Sequence, residues 1–135
     1  MEEIEFEEVA ERWSYYKVED GTVLKVKIVL IRIASDVSFA NMMDSQGNEP
    51  RSLAFIAMNA VGAKPFENLI IDGVVEKVED MEFDVQKEAW NEYKMPNGRL
   101  LMLKPSVIQI NRTGEIDSTG VPLYNVQIQP VTKFK

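Results

Sequence analysis

The sequence predicts a mainly β domain, a barrel or a sandwich, built by internal duplication from two similar halves with pseudo-two-fold symmetry. Residues 4–33 align with residues 81–110 at an offset of 77 without a gap, and eleven of the thirty aligned pairs are identical. Ordinary composition would give about two identical pairs by chance. In addition, each half carries a hairpin-turn signature followed by a long run of apolar residues at strand spacing. Together these observations indicate a duplicated β unit.

The repeat covers most of a chain of 135 residues, which is the size of one domain with a core of its own. We therefore expect a single domain, with copy one at about 4–60, a connector at about 61–80 and copy two at about 81–131. Both tryptophans fall on each other in the alignment. The identical pairs are Glu5/Glu82, Phe6/Phe83, Glu11/Glu88, Trp13/Trp90, Tyr16/Tyr93, Lys17/Lys94, Gly21/Gly98, Leu24/Leu101, Lys27/Lys104, Ile31/Ile108 and Ile33/Ile110.

Each copy opens with apolar residues that alternate with acidic ones, as at Ile4 and Phe6, which predicts a short edge strand. A short helix through Glu7–Arg12 is the alternative. An aromatic-rich strand, Trp13–Val18, follows.

That strand leads to a turn, which ends in Asp20-Gly21 in copy one and in Asn97-Gly98 in copy two. Both dipeptides are strong hairpin signals. Pro96 suits the first corner of a type I turn, with Gly98 as the left-handed residue of a bulge, while a type I′ turn stays open.

The returning strand, Thr22 to Ile33, changes its apolar face partway along. Alternating apolar residues run from Leu24 to Leu30, and the opposite face then becomes apolar at Val29, Ile31 and Ile33. A strand can exchange its buried face only through a bulge, a bend or burial on both sides. Copy two changes in the same way, with Pro105 in the changeover zone. We expect a long bent strand in each half that serves two sheets or wraps a barrel.

Turn residues recur at Asp44–Gly47 and at Asp117–Gly120, before strands expected at Ser52–Asn59 and Leu123–Val131. These turns lack the further oxygen ligands of a calcium loop, so no metal and no cofactor are predicted. In the connector, Leu69–Val78 predicts one more strand or a hairpin that joins the halves.

Composition removes several classes of function. The chain has neither cysteine nor histidine and carries a net charge of -7. Thiolate and histidine catalysis and the usual zinc sites are therefore excluded, and we predict no catalytic residue and no enzyme. Nucleic acid is disfavoured because clustered Lys and Arg are missing. No apolar run is long enough to span a membrane, and the acidic N-terminus is unlike a signal peptide, so a cytoplasmic protein is expected.

One candidate interaction site lies in the loop that lengthens copy one relative to copy two. It comprises Phe39, Met42 and Met43, apolar side chains that suit adaptable contacts with another protein. The alternative is that these residues fold back over an open barrel end.

The second candidate site consists of charged and aromatic residues retained in both copies. They are Glu11, Trp13, Tyr16 and Lys17, with Glu88, Trp90, Tyr93 and Lys94. Surface pairing of Glu11 with Lys17 and core packing of the aromatic rings would explain them structurally. They could instead line a barrel mouth that binds a small ligand or a carbohydrate. A third hypothesis is a hydrolase in which Glu11 and Glu88 face each other across the symmetry axis.

The leading hypothesis is a non-catalytic protein-interaction or structural module, with another protein as its partner and a homo-oligomer left open. It rests on the missing catalytic residues, the asymmetric loop and the acidic stretches at residues 1–20 and 76–92.

Overall fold

The structure is a computed structural model, which describes residues 2–35, 53–66 and 69–135. These residues form nine β-strands and no helix, which confirms the predicted mainly β class, and they include a curled half-barrel sheet. The strands are β1 (Glu2–Ile4), β2 (Glu7–Ala10), β3 (Ser14–Val18), β4 (Val23–Ser35), β5 (Leu53–Lys64), β6 (Phe83–Lys87), β7 (Asn91–Lys94), β8 (Leu100–Ile116) and β9 (Pro122–Phe134).

The strands form two sheets in which every pairing is antiparallel. In the five-stranded sheet, β5 runs along one side of β4, whereas β1 and β3 pair with opposite ends of its other side. Strand β6 extends this sheet beyond β3. The four-stranded sheet has the order β2-β7-β8-β9. Among the described residues, β5 and β9 therefore lie at edges of the two sheets, as do the short strands β2 and β6.

The short strands β2 and β6 each pair with the hairpin of the other half. Glu8 lies opposite Tyr93, and Val85 lies opposite Tyr16, so the two pairings correspond at the offset of 77. Each pairing also contains a register shift next to this position. The alternative of a helix through Glu7–Arg12 is wrong, because residues 7–10 gain their backbone partners from β7.

Both hairpin turns have the same geometry. The Gly21 amide donates to the carbonyl oxygen of Val18 at 2.9 Å, and the Gly98 amide donates to that of Met95 at 2.9 Å. The φ angles of the two glycines are +86° and +85°, whereas Asp20 and Asn97 stay outside the left-handed region. A type I′ turn needs two left-handed residues. The type I turn with a bulge glycine is therefore confirmed in both hairpins.

The change of face along the long strands comes from a bulge in each. The pairing of β4 with β5 shifts between Leu30 and Arg32, and the pairing of β8 with β9 shifts between Val107 and Gln109. Ile31 and Ile108, the extra residues, are 49% and 57% exposed, so their predicted burial is wrong. The bulge resets the alternation, which returns Ile33 and Ile110 to the interior at 0% exposure.

Pro105 does not interrupt the strand pairing. It pairs with Pro130 inside a continuous ladder, and the bulge residue, Ile108, lies three residues further on. Leu100 and Lys135 exchange two backbone hydrogen bonds of 3.0 Å each, and hydrogen-bonded pairs alternate with non-hydrogen-bonded pairs along an antiparallel ladder. The pair Pro105–Pro130 is therefore a non-hydrogen-bonded one, where no amide proton is needed.

Two apolar cores lie between the sheets, and both long strands contribute to each core. The first core includes Ile28, Leu30 and Ile33 of β4 with Leu101 and Leu103 of β8. The second core takes the other parts of the same strands, namely Leu24, Val26, Val107 and Ile110. The long strand predicted in each half is present, as β4 and β8, and each of the two connects the cores.

The connector differs from the prediction. Leu69–Val78 forms only isolated bridges, one between Ile71 and Val74 and one between Val78 and Arg112. Ile71 and Val74 are both 68% exposed, so this run lacks the neighbouring strand that would cover it. Strand β5 extends to Lys64, beyond the predicted end at Asn59, and β9 extends to Phe134.

Candidate functional site

The retained glutamates and tyrosines meet in two clusters, each joining residues from both halves. In the Glu88 cluster, the Tyr16 hydroxyl donates to Oε1 of Glu88 at 3.3 Å, and Nζ of Lys104 lies 3.5 Å from Oε2. The same Nζ lies 5.0 Å from the centre of the Trp90 ring. Four side chains that are identical in the two copies thus form one cluster, which contains a cation, an anion, a phenol and an indole ring.

The Glu11 cluster contains the corresponding residues of the other copy. The Glu11 carboxylate faces the Tyr93 phenol, and Nζ of Lys27 lies 4.8 Å from the centre of the Trp13 ring. Burial raises the pKa of Glu11, and a hydrogen bond and the negative charge of Glu8 raise it further, against the opposing effect of Lys27. Its Oε2 is buried without a hydrogen-bond partner among the described residues.

The phenols of both clusters are buried donors that stay protonated at neutral pH. Tyr16 and Tyr93 are 0% exposed, and burial raises the pKa of Tyr93 to about 12 and that of Tyr16 as well. Phe6 packs edge-on against Tyr93, and Phe83 packs edge-on against Tyr16. The clusters therefore hold the two halves together from inside.

Each glutamate faces the tyrosine of the other half, an arrangement different from the mutual Glu11–Glu88 pair that the hydrolase hypothesis requires. Lys17 and Lys94 are exposed and lie opposite Asp84 and Glu7 in the strand pairings. The cation next to Glu11 is thus Lys27, in place of the expected Lys17.

A buried polar cluster that the sequence analysis did not identify connects the first hairpin to the second sheet. Nη1 of Arg112 lies 2.9 Å from Oδ2 of Asp20, and the Tyr124 hydroxyl donates to the same oxygen at 2.6 Å. Thr22 and Tyr124 share a further hydrogen bond of 2.8 Å. The only sequence signal for this cluster is the acidic turn that contains Asp20. No pattern of neighbouring residues marks Arg112 as the partner of Asp20.

An open concavity of about 970 Å³ lies beside this cluster, between the first hairpin turn and residues 80–84. Its lining includes Glu19, Glu82 and Asp84, together with Phe66, which is 60% exposed. In the described part of the chain, no group of three or more acidic side chains could hold a metal ion.

The edge strand β5 exposes several apolar side chains in the described part of the chain. Within residues 2–35, 53–66 and 69–135, it pairs only with β4. Ile56, Met58 and Val61 are 53%, 63% and 43% exposed. No charged residue occurs from Leu53 to Ala63. From the sequence, residues 52–59 are predicted as an ordinary strand, although the lack of charge in this run is a visible signal of its exposure as an edge.

The edge strand β9, which pairs with β8 as β5 pairs with β4, is protected in the ways that natural edge strands usually are. It contains Pro130, which cannot donate a backbone hydrogen bond, and many of its exposed side chains are polar. In β4 and β8, Val26 and Leu103 correspond at the offset of 77, as do Ile28 and Pro105, so their partners on the edge strands are equivalent: Val61 to Thr132, and Asn59 to Pro130. Two strands in equivalent positions thus differ in edge chemistry.

The loop candidates Phe39, Met42 and Met43 lie outside the described residues, as does the turn Asp44–Gly47.

Comparisons of the chain with protein-family models, with curated proteins and with solved structures found no match. The described residues contain no helix of the length and apolarity needed to cross a membrane.

Proposed function

We propose that this protein is a non-catalytic interaction module that binds another protein by adding a strand at the free edge of β5. The observation that carries the proposal is the contrast between β5, which has no proline and whose exposed side chains are largely apolar, and β9, which contains Pro130 and exposes mainly polar side chains. An exposed edge presents unpaired N–H and C=O groups, and strand addition satisfies them. A cytoplasmic setting belongs to the same proposal, supported by a chain without cysteine that needs no oxidising compartment.

The proposal includes an internal duplication, folded with pseudo-two-fold symmetry into one unit. Contacts that correspond at the offset of 77 support it. Asn91 Oδ1 accepts a hydrogen bond from the Arg12 amide at 2.8 Å, and Ser14 Oγ accepts one from the Ala89 amide at 2.9 Å. The Glu–Tyr clusters, the Phe–Tyr contacts, the hairpin turns and the bulges correspond in the same way.

A non-catalytic role agrees with the way the polar side chains are used. Asp20, Arg112 and Tyr124 satisfy one another, and Glu88 is occupied by Tyr16 and Lys104. Groups engaged in this way stabilise the fold and are not free to act on a substrate. The free edge of β5 instead offers unpaired backbone groups and apolar side chains, which suit a protein partner.

The experiment measures how much of a partner protein is captured by each of three baits: the wild type, Val61→Lys and Thr132→Lys. Both substitutions put a lysine at corresponding positions of edge strands, so the β9 variant is the matched control. We expect a stoichiometric protein on the wild type and on Thr132→Lys, and at least tenfold less of it on Val61→Lys, because a charge on the edge opposes strand addition. Thermal melts establish that all three baits are folded. Equal capture by folded Val61→Lys and wild type would overturn the proposal.

A further inference from the structure

We propose that the strand which adds to β5 is β5 of a second copy of this chain, so that two copies form a dimer with one continuous sheet. This inference rests on the proposed function and specifies its partner. The two strands run antiparallel about a two-fold axis, and the same surface of each copy meets the other, as in most homodimers.

The register indicates which backbone groups of β5 are available. Because Pro105–Pro130 is a non-hydrogen-bonded pair, the corresponding pair Ile28–Asn59 is of the same kind. Residues in such pairs direct their N–H and C=O groups away from the neighbouring strand. Ala57, Asn59 and Val61 therefore present their backbone groups to the free edge of the sheet.

Charge favours a second copy as the occupant. The chain carries a net charge of -7, so two copies repel each other unless they meet at a neutral surface. Strand β5 is such a surface, since Lys64 is its single charged residue. With the two Asn59 residues opposite each other, Ala57 lies opposite Val61 and no like charges are paired.

The partner strand must also match β5 in shape and polarity. It has to be uncharged, free of proline, and apolar on both faces over about ten residues, because Ile56 and Met58 lie on one face and Val61 on the other. The edge strand β9 fails this requirement through Pro130 and its polar residues, and β2 and β6 fail it through their charged residues. Strand β5 itself meets it.

The first arm of the test is the solution mass of the purified protein over a range of concentrations. We expect a dimer for the wild type and a dissociation constant at least a hundredfold higher for Asn59→Pro. The amide proton that this substitution removes faces the free edge, so the pairing with β4 is retained, as it is at Pro130. Val61→Lys provides a second interface variant in case Asn59→Pro does not fold, and Thr132→Lys is the control that stays dimeric.

The second arm is disulfide trapping, which the chain permits because it contains no cysteine. In Asn59→Cys, strand pairing brings the two cysteines to a Cα separation of about 5.5 Å, within the range that a disulfide spans. We expect a covalent dimer to form at least ten times faster than with Thr132→Cys.

The outcomes separate this inference from the proposed function. If the wild type is a monomer but still captures a protein through Val61, the partner is not a second copy, and the proposed function as an interaction module is retained. A monomer that captures nothing would overturn both. A dimer that persists in folded Asn59→Pro and Val61→Lys, with equal trapping at residues 59 and 132, would place the interface elsewhere and also overturn the inference.

Discussion

Arg112 and Asp20 form an ion pair in the interior, with Nη1 2.9 Å from Oδ2 and with side chains only 9% and 7% exposed. Nε of Arg112 also donates to the carbonyl oxygen of Glu76 at 2.7 Å. At the corresponding positions of the other half, Asn97 and Ser35 replace Asp20 and Arg112. The pair therefore links the first hairpin, the connector and the second sheet in one half of the molecule.

Removing the charge of Asp20 should strongly destabilise the protein. Asp20→Asn leaves the buried guanidinium of Arg112 without its counter-charge, and breaking a buried pair in this way costs about 3–5 kcal/mol. Urea denaturation at neutral pH measures this loss. Asn97→Asp, at the corresponding exposed turn position, keeps the acceptor for the Arg99 amide and should stay within about 0.5 kcal/mol of the wild type. A loss below about 1 kcal/mol for Asp20→Asn would show that the pair does not hold the sheets together.

The Asp20 carboxylate should also make the stability of the protein depend on pH in the acid range. Burial alone would raise the pKa of Asp20, but hydrogen bonds from Tyr124, Thr22 and Arg112 hold it below its usual value. A group whose pKa is lower in the folded state stabilises the protein above its unfolded pKa, near about 3.9, and this stabilisation is lost as the pH falls through the folded pKa. Urea midpoints from about pH 5 to pH 2 should therefore fall more steeply for the wild type than for Asp20→Asn. Parallel curves would contradict this assignment.

Neutralising Glu11 and neutralising Glu88 should change the stability of the protein in opposite directions, although the two residues occupy corresponding positions. The pKa of Glu11 is raised by burial and by Glu8, so its stabilising contribution is present below the unfolded pKa and lost as the pH rises through the folded pKa. Glu11→Gln should therefore stabilise the protein at about pH 8, by about 0.5 kcal/mol because solvent screens the site, and change little at about pH 4.

Glu88→Gln is the matched variant and should lower stability, because it removes the charge that pairs with Lys104. Thermal and urea denaturation at both pH values measures the two effects. If both substitutions shift stability in the same direction at about pH 8, the difference between the two clusters is not real.

The two hairpin glycines differ in how much space surrounds them. A Cβ added at Gly21 would lie 2.9 Å from Cγ of Phe66, whereas one added at Gly98 would have no neighbour within 4 Å. Both substitutions by alanine carry the backbone cost of a left-handed residue, about 1–2 kcal/mol. Gly21→Ala should cost about 1–3 kcal/mol more than Gly98→Ala. The added Cβ meets Cβ and Cγ of Phe66, which lie next to the Phe66 backbone and cannot rotate away. Chemical denaturation measures both, and equal losses would contradict the close contact.

The sequence predicted those features that depend on neighbouring residues. The hairpin turns follow from Asp20-Gly21 and Pro96-Asn97-Gly98, and the bulges follow from the change of apolar face after Leu30 and after Leu103. It could not show that β2 pairs with β7 and β6 with β3, because backbone pairing between distant segments leaves no local pattern. The predicted burial of Ile31 was wrong for a related reason, since the bulged residue cannot be identified from alternation alone.

The candidate site shows the same division. Glu11, Glu88, Tyr16 and Tyr93 were identified as retained residues, yet their exchange of partners between the halves depends on the tertiary fold. Arg112 and Asp20 are 92 residues apart and were not connected by any pattern. Strand β5 was expected, but its role as an unguarded edge becomes visible only when its neighbours are known.

Amide hydrogen exchange of the wild type, followed by NMR as the protein is diluted, tests the free edge of β5 most directly. In the concentrated protein, we expect the amides of Ala57, Asn59 and Val61 to be protected, and dilution should return them to rapid exchange. The amides of Met58 and Ala60, which face β4, should stay slow throughout. Rapid exchange of the first three amides at every concentration, or slow exchange that dilution does not change, would contradict strand addition at this edge by a second copy.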